Sequence, residues 1–107
     1  MPKYLVQSSY TVDGIKGVLK DGGTARKAAM QKMVAGLGGR LEAMYFAFGE
    51  SDVFEILDVP DNVTTFAATL AIIGSGSAHT KTTVLLTPEE VDQAVKKPVA
   101  YRPPGAL

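Results

Sequence analysis

The chain contains no cysteine, which excludes disulfides, thiol nucleophiles and cysteine-held metals together. It has a single histidine, His79, so no histidine cluster within one chain can hold a metal, and no metal site is expected. Eleven basic and eleven acidic residues cancel. No global field therefore draws the protein to nucleic acid or to an anionic membrane, and neither is expected as a partner. No apolar run approaches the length of a bilayer span, and Met1-Pro2-Lys3-Tyr4 lacks the charged-then-apolar plan of a secretion signal. A cytoplasmic location is the expectation. The spacing of a phosphate loop is also missing: Gly22-Gly23-Thr24 with Arg26 and Lys27 could meet an anion at a helix start, but no Gly-Lys-Ser/Thr run ends it. A capped restart of a helix is the simpler reading, and no cofactor is expected.

What is present is one domain's worth of alternating pattern. At 107 residues the chain buries roughly 65% of its unfolded surface, enough for one modest core. Any pocket is expected to be shallow or shared between subunits. The most strand-like stretch, Glu42 to Pro60, reads as two strands folded back through Gly49-Glu50-Ser51-Asp52. Its first strand sets Leu41, Ala43, Tyr45 and Ala47 against Glu42, Met44, Phe46 and Phe48. Its second sets Phe54 and Ile56 against Val53, Glu55, Leu57 and Val59.

Before this hairpin, Lys3 to Tyr10 alternates as a strand with Tyr4, Val6, Ser8 and Tyr10 on one face. Thr11 caps a helical turn or two containing Ile15, Val18 and Leu19, interrupted at Asp21-Gly22-Gly23. Thr24 is the expected cap of the next helix, with a stripe of Ala25, Ala29, Met33 and Leu37 beside Ala28 and Val34. After the hairpin, Pro60-Asp61-Asn62 opens a helix whose Phe66, Ala67, Leu70, Ala71 and Ile73 form an apolar side, ended by Gly74-Ser75-Gly76-Ser77. His79 to Leu86 is the fourth strand. Thr87-Pro88-Glu89-Glu90 carries a capping box and starts a short helix to about Lys97. Residues 1–97 are read as the domain and 98–107, with three of the six prolines, as an extended tail suited to lie along a partner subunit.

The order is β-α-β-β-α-β with a terminal helix, the ferredoxin-like arrangement of the α+β class. Helices cover one face of such a sheet. The Tyr, Phe, Met and Val residues on the other argue for pairing, and two sheets face to face make a dimeric α+β barrel. A homodimer or larger homo-oligomer is the expected state.

These residues resemble the GYD-domain family, small bacterial and archaeal proteins of the dimeric α+β barrel group. The resemblance covers about residues 3 to 97. It rests on Tyr4-Leu5-Val6 with Ser9-Tyr10-Thr11, on Gly14-Ile15-Lys16-Gly17, on Leu37-Gly38-Gly39, on Tyr45-Phe46-Ala47-Phe48-Gly49 with Asp52, and on Leu86-Thr87-Pro88-Glu89-Glu90-Val91. The family's name refers to a Gly-Tyr-Asp run after the second strand. Here Gly49 and Asp52 match, and Ser51 stands where the aromatic is expected, which implies a wider, more polar pocket. The resemblance implies the fold and leaves the reaction open.

Asp52 is a candidate general acid or base, with Glu42, Glu55 and Asp58 as further carboxylates in the hairpin; turn chemistry at Gly49 and Asp52 explains the pair as well. His79 is a candidate proton shuttle, or an exposed bystander at a strand start. Tyr4, Ser8, Tyr10 and Tyr45 supply hydroxyls able to orient a ligand from the sheet, with Ser51 at the pocket's edge, although packing at a subunit interface accounts for tyrosines equally. An RNA-recognition module shares this element order, but Asp52-Val53-Phe54-Glu55-Ile56-Leu57-Asp58 lacks the basic, glycine-rich third strand such modules use. Whether the protein is an enzyme is left open. No acid, base and nucleophile constellation appears, so the leading expectation is an oligomeric small-molecule-binding or accessory protein. The alternatives are a cofactor-independent oxygenase or isomerase and a purely structural oligomer.

Overall fold

Alternation along β1 (Lys3–Tyr10) turns Tyr4, Val6 and Ser8 to one side, and in the computed structural model, which describes residues 1–106, that side is buried. Thr11 caps α1 (Val12–Asp21) by accepting from the Gly14 N–H, giving a full ten-residue helix where the sequence suggested a turn or two. Gly22, at φ 82°, breaks the chain between α1 and α2 (Gly23–Gly36). Gly22, not Thr24, is thus the residue before α2, and no side chain caps that end. The buried side of α2 keeps Met33 and Val34 of the expected stripe, adds Met30 and leaves out the alanines. Met30 and Val34 are buried with Met33 packed beside them, while Ala25, Ala28 and Ala29 are exposed, because the larger side chains remove more apolar area from water.

β2 (Arg40–Phe46) and β3 (Val53–Asp58) form the predicted hairpin, followed by α3 (Asn62–Gly74), β4 (Ala78–Leu85) and α4 (Pro88–Val95). A bulge between Leu41 and Ala43 shifts the β2 register. It brings Leu41 to the same side as Met44, facing Leu57 across the hairpin, whereas uninterrupted alternation puts the two on opposite faces. Among the described residues the chain is α+β, with four helices and a four-stranded antiparallel sheet in the order β2-β3-β1-β4, consistent with the ferredoxin-like arrangement.

Two small apolar clusters lie between the sheet and its helices. One joins Tyr4, Val6, Val34, Leu57 and Val59; the other joins Met30, Met44 and Val53, with Tyr10 and Ile72 packed against it. The opposite face of the sheet carries Leu5, Gln7, Phe54, Ile56, Ala43 and Tyr45 in register, flanked by His79, Lys81, Thr83 and Leu85 of β4. Among the described residues no helix lies over it. At its end Asp58 accepts from Lys3 at 2.8 Å and from Arg40 at 2.9 Å, and Lys3 also reaches Glu42 at 2.7 Å. The Lys3 ammonium is the main influence lowering the Asp58 carboxyl below its usual range, with Arg40 adding to it against the cost of burial.

The molecule measures 61 × 31 × 23 Å, and every residue of α4 is exposed. Both hydrogen bonds of the Thr87–Glu90 capping box are present. Beyond α4 the predicted tail turns back at its end, where Ala106 N–H donates to Pro103 and Arg102 Nε to Ala106. Leu107, the last residue of that tail, lies outside the described residues.

Candidate functional site

Glu55 occupies the middle of β3 at a register position shared with Val53 and Leu57, so its side chain points under the helices and is only 3% exposed. It enters the wall of a cavity of about 350 Å³ between the sheet, α2 and α3. β1 contributes Ser8 and Tyr10 to this cavity, and β2 contributes Met44. Met30 and Met33 with Ala29 and Arg26 come from α2; Ala71 and Ile72 come from α3, and Ser75 from the turn that follows it. The lining is therefore apolar and polarisable, with hydroxyls at intervals and one buried acid. Arg26, Tyr10 and Ser77 also wall a smaller cleft of about 150 Å³ beside α1, which places the Arg26 side of the cavity next to that helix.

One carboxyl oxygen, Glu55 Oε2, has no hydrogen-bond partner. Burial disfavours the charged form and lifts the carboxyl from 4.5 to about 7, against the opposing charge of Arg26. Glu55 thus exchanges a proton near neutrality. Behind it lies a recess of about 20 Å³ walled by Met30, Met33, Ile72, Glu55 and Thr80, and Thr80 Oγ1 is likewise buried and unpartnered.

The residues singled out in the sequence fall into several places. Ser8 and Tyr10 meet Glu55 in the cavity. Tyr4 instead donates its hydroxyl to Asn62 Oδ1 and borders a separate groove of about 480 Å³ between α3 and β4. Tyr45 is 73% exposed on the uncovered face of the sheet. His79 lies on that same face opposite Ser9 and is exposed. Asp52 closes the hairpin onto β1: its Oδ2 accepts from Tyr10 N–H at 2.8 Å and its own N–H donates to the Ser8 carbonyl. Gly49, at φ 101°, makes the hairpin turn, and Ser51 is half-buried beside Asp52. Asp52 therefore holds the backbone of two cavity residues, while its carboxylate is occupied by the main chain.

Glu55 is the residue to which the sequence drew least attention, as one of several hairpin carboxylates. Its signal is an acid in the apolar register of a strand, between Val53 and Leu57, where a carboxylate is rarely found without a partner.

Comparison with protein families matches the GYD domain over residues 4–95 of the 107-residue chain. The chain belongs to the GYD domain family. Comparisons with curated proteins and with solved structures find no match. The matched GYD domain runs from β1 to the end of α4, so it includes all elements that build the Glu55 cavity as well as the projecting helix. Among the described residues no helix is long and apolar enough to cross a membrane, and no group of three acidic or histidine side chains is placed to hold a metal.

Proposed function

We propose that this GYD-domain protein is an oligomeric small-molecule-binding protein whose ligand site is the cavity between α2, α3 and the sheet. The observation that carries this reading is the unpartnered Glu55 carboxyl in the cavity wall. A buried polar group with no partner is costly, and a ligand that bonds to it recovers that cost. The apolar walls supply contact area, and Glu55 fixes orientation, the usual division of labour in small-molecule sites.

The oligomer is supported by what the single chain leaves uncovered. Phe54, Ile56, Leu5 and Tyr45 share a sheet face with no helix over it among the described residues, and Phe66, Leu70 and Ile73 of α3 are 60, 57 and 44% exposed. Apolar patches of this kind mark association surfaces. Two copies packed through the uncovered faces form the dimeric α+β barrel, and α4, too short to be stable alone in water, reaches the partner.

Native mass spectrometry of protein purified without added ligand tests both parts. The expected result is a dimer or larger assembly carrying a non-peptide mass. Ala71→Phe, an exposed residue whose enlarged side chain fills the cavity, removes that mass without changing the subunit number. An adduct that survives this substitution places the ligand elsewhere.

A second reading is favoured by one observation, the titration of Glu55 at about 7. A carboxyl poised there suits general acid–base work. It would take a proton from a carbon beside a carbonyl to leave an enolate and return it to the same carbon from either face, an epimerisation that needs no oxidant or cofactor. Incubation in D₂O with a bound carbonyl compound would then exchange that carbon's proton in the wild-type protein and not in Glu55→Gln.

A further inference from the structure

Resting on the cavity as the ligand site, we infer that the ligand is a carboxylate on a compact apolar body, its charged end held by Arg26 in the cavity wall. Arg26, in the first turn of α2, is half-buried and lines both the main cavity and the smaller cleft beside α1. Its guanidinium keeps its charge across the physiological range and presents a fork of donors that matches a carboxylate. Yet no counter-ion touches it. The ion pairs among the described residues are Lys3 with Glu42, Lys3 with Asp58 and Arg40 with Asp58, all away from the cavity.

The cavity wall thus holds one fixed cation and one acid able to give up its charge. Glu55 feels the field of Arg26 without pairing to it. With Glu55 ionised, the two charges cancel over the cavity as a whole. With Glu55 protonated, Arg26 is left as a net positive charge beside apolar walls, and a carboxylate restores the balance. The neutral Glu55 then offers a hydrogen to the ligand in place of repelling it. Binding of the anion is therefore coupled to proton uptake. An ammonium is repelled by Arg26, and a dianion such as phosphate brings a second charge among methionines, where the lining supplies no second cation.

Of the elements around Arg26 and Glu55, β1 adds the phenol of Tyr10, and α1 adds Asp13 and Asp21 at the outer cleft, both exposed and screened by water. Those two acids disfavour an anion in the cleft and leave the cavity as its place. The cavity residues of β2, α3 and β4 include no titratable side chain. The body of the ligand lies against the Met30, Met33 and Met44 thioethers, which adapt to a ring or a branched alkyl group. At about 350 Å³ the space is at the small end for a ligand site, so that body is compact.

Benzoate, its neutral isostere benzamide and the cation benzylamine separate the chemistries when each is titrated into the full-length protein labelled at its methionine methyl groups. Met30, Met33 and Met44 line the cavity, and exposed Met1 serves as an outside reference. At about pH 6 the expected result is shifts confined to the three cavity methionines, with benzoate bound about tenfold or more tightly than benzamide, and benzylamine weakest. Arg26→Gln removes the preference for benzoate. Between about pH 6 and 9 the wild-type affinity for benzoate falls by about tenfold or more, because the ligand and Glu55 compete to balance one cation. Glu55→Gln, neutral at every pH, abolishes that dependence.

Benzamide or benzylamine bound as tightly as benzoate, or a benzoate affinity level across this pH range, overturns the ligand class and leaves the cavity as the site. A preference for benzoate that survives Arg26→Gln overturns the anchoring role of Arg26. No shift at the cavity methionines with any probe overturns the site reading together with the inference. The pH series is read on the wild-type protein, so the test stands even where a substitution fails to fold.

Discussion

Glu55 is expensive to the fold whenever it is charged, and the sign of that effect is specific. Its carboxyl titrates at about 7 in the folded protein and near 4.5 when unfolded. The folded state therefore holds the proton more tightly, and stability falls as pH rises through that window, by about 3 kcal/mol in all. Chemical denaturation across pH 4 to 9 is expected to show this decline in the wild-type protein. Glu55→Gln flattens it and is the more stable form above neutrality. Asp58 acts in the opposite direction. Held below its usual range by Lys3 and Arg40, it contributes stability at neutral pH that is lost as pH falls through the carboxylate range, and Lys3→Met is expected to reduce that acid-side loss. Asp52→Ala leaves the Tyr10 N–H without its partner. A loss of about 1–3 kcal/mol in thermal or denaturant unfolding is expected, together with altered shifts for the cavity methionines.

Much of each element was legible in the sequence, because alternation and capping are local. Thr11 and Thr87 act as the caps their positions suggest, α3 starts at the Pro60-Asp61-Asn62 break with Asp61 as its cap, and Val53, Glu55 and Leu57 share one face as their spacing requires. Two features were not legible, for different reasons. The β2 bulge depends on pairing with β3, so nothing within β2 announces that Leu41 and Met44 share a side. The side that α2 buries is chosen by the sheet beneath it: Val34 was legible in the stripe, but Met30 is buried in place of the stripe's alanines. The site was least legible because an unpartnered carboxyl is a property of its surroundings. Ser8 and Tyr10 were identified as ligand candidates, but their meeting with Glu55 under α2 and α3 follows from tertiary packing. Close approach between elements gives a direct test. A Cβ on Gly14 would collide with the Ser77 carbonyl, where α1 meets the turn before β4. Gly14→Ala is expected to cost about 1–3 kcal/mol by overpacking, whereas Gly17→Ala, with open space around it, is expected to be neutral or slightly stabilising in the same melting experiment.

For the whole molecule, the proposed dimer turns on apolar surface that one chain leaves open. Ile56→Lys, at the centre of the uncovered sheet face, is expected to shift sedimentation equilibrium towards monomer while far-ultraviolet circular dichroism stays unchanged. Removal of residues 87–107 is expected to weaken the assembly without unfolding the sheet, since α4 is exposed along its whole length. The cavity itself lies on the other side of the sheet, so its chemistry is separable from association. The proposed site depends above all on the state of one carboxyl. A ¹³C NMR titration of Glu55 in the intact, ligand-free protein reads it directly, with Glu55→Gln assigning the signal. A midpoint of about 7 is predicted. A midpoint in the ordinary range near 4.5 would mean that Glu55 is solvated or already paired, and would contradict the site proposed for this GYD domain.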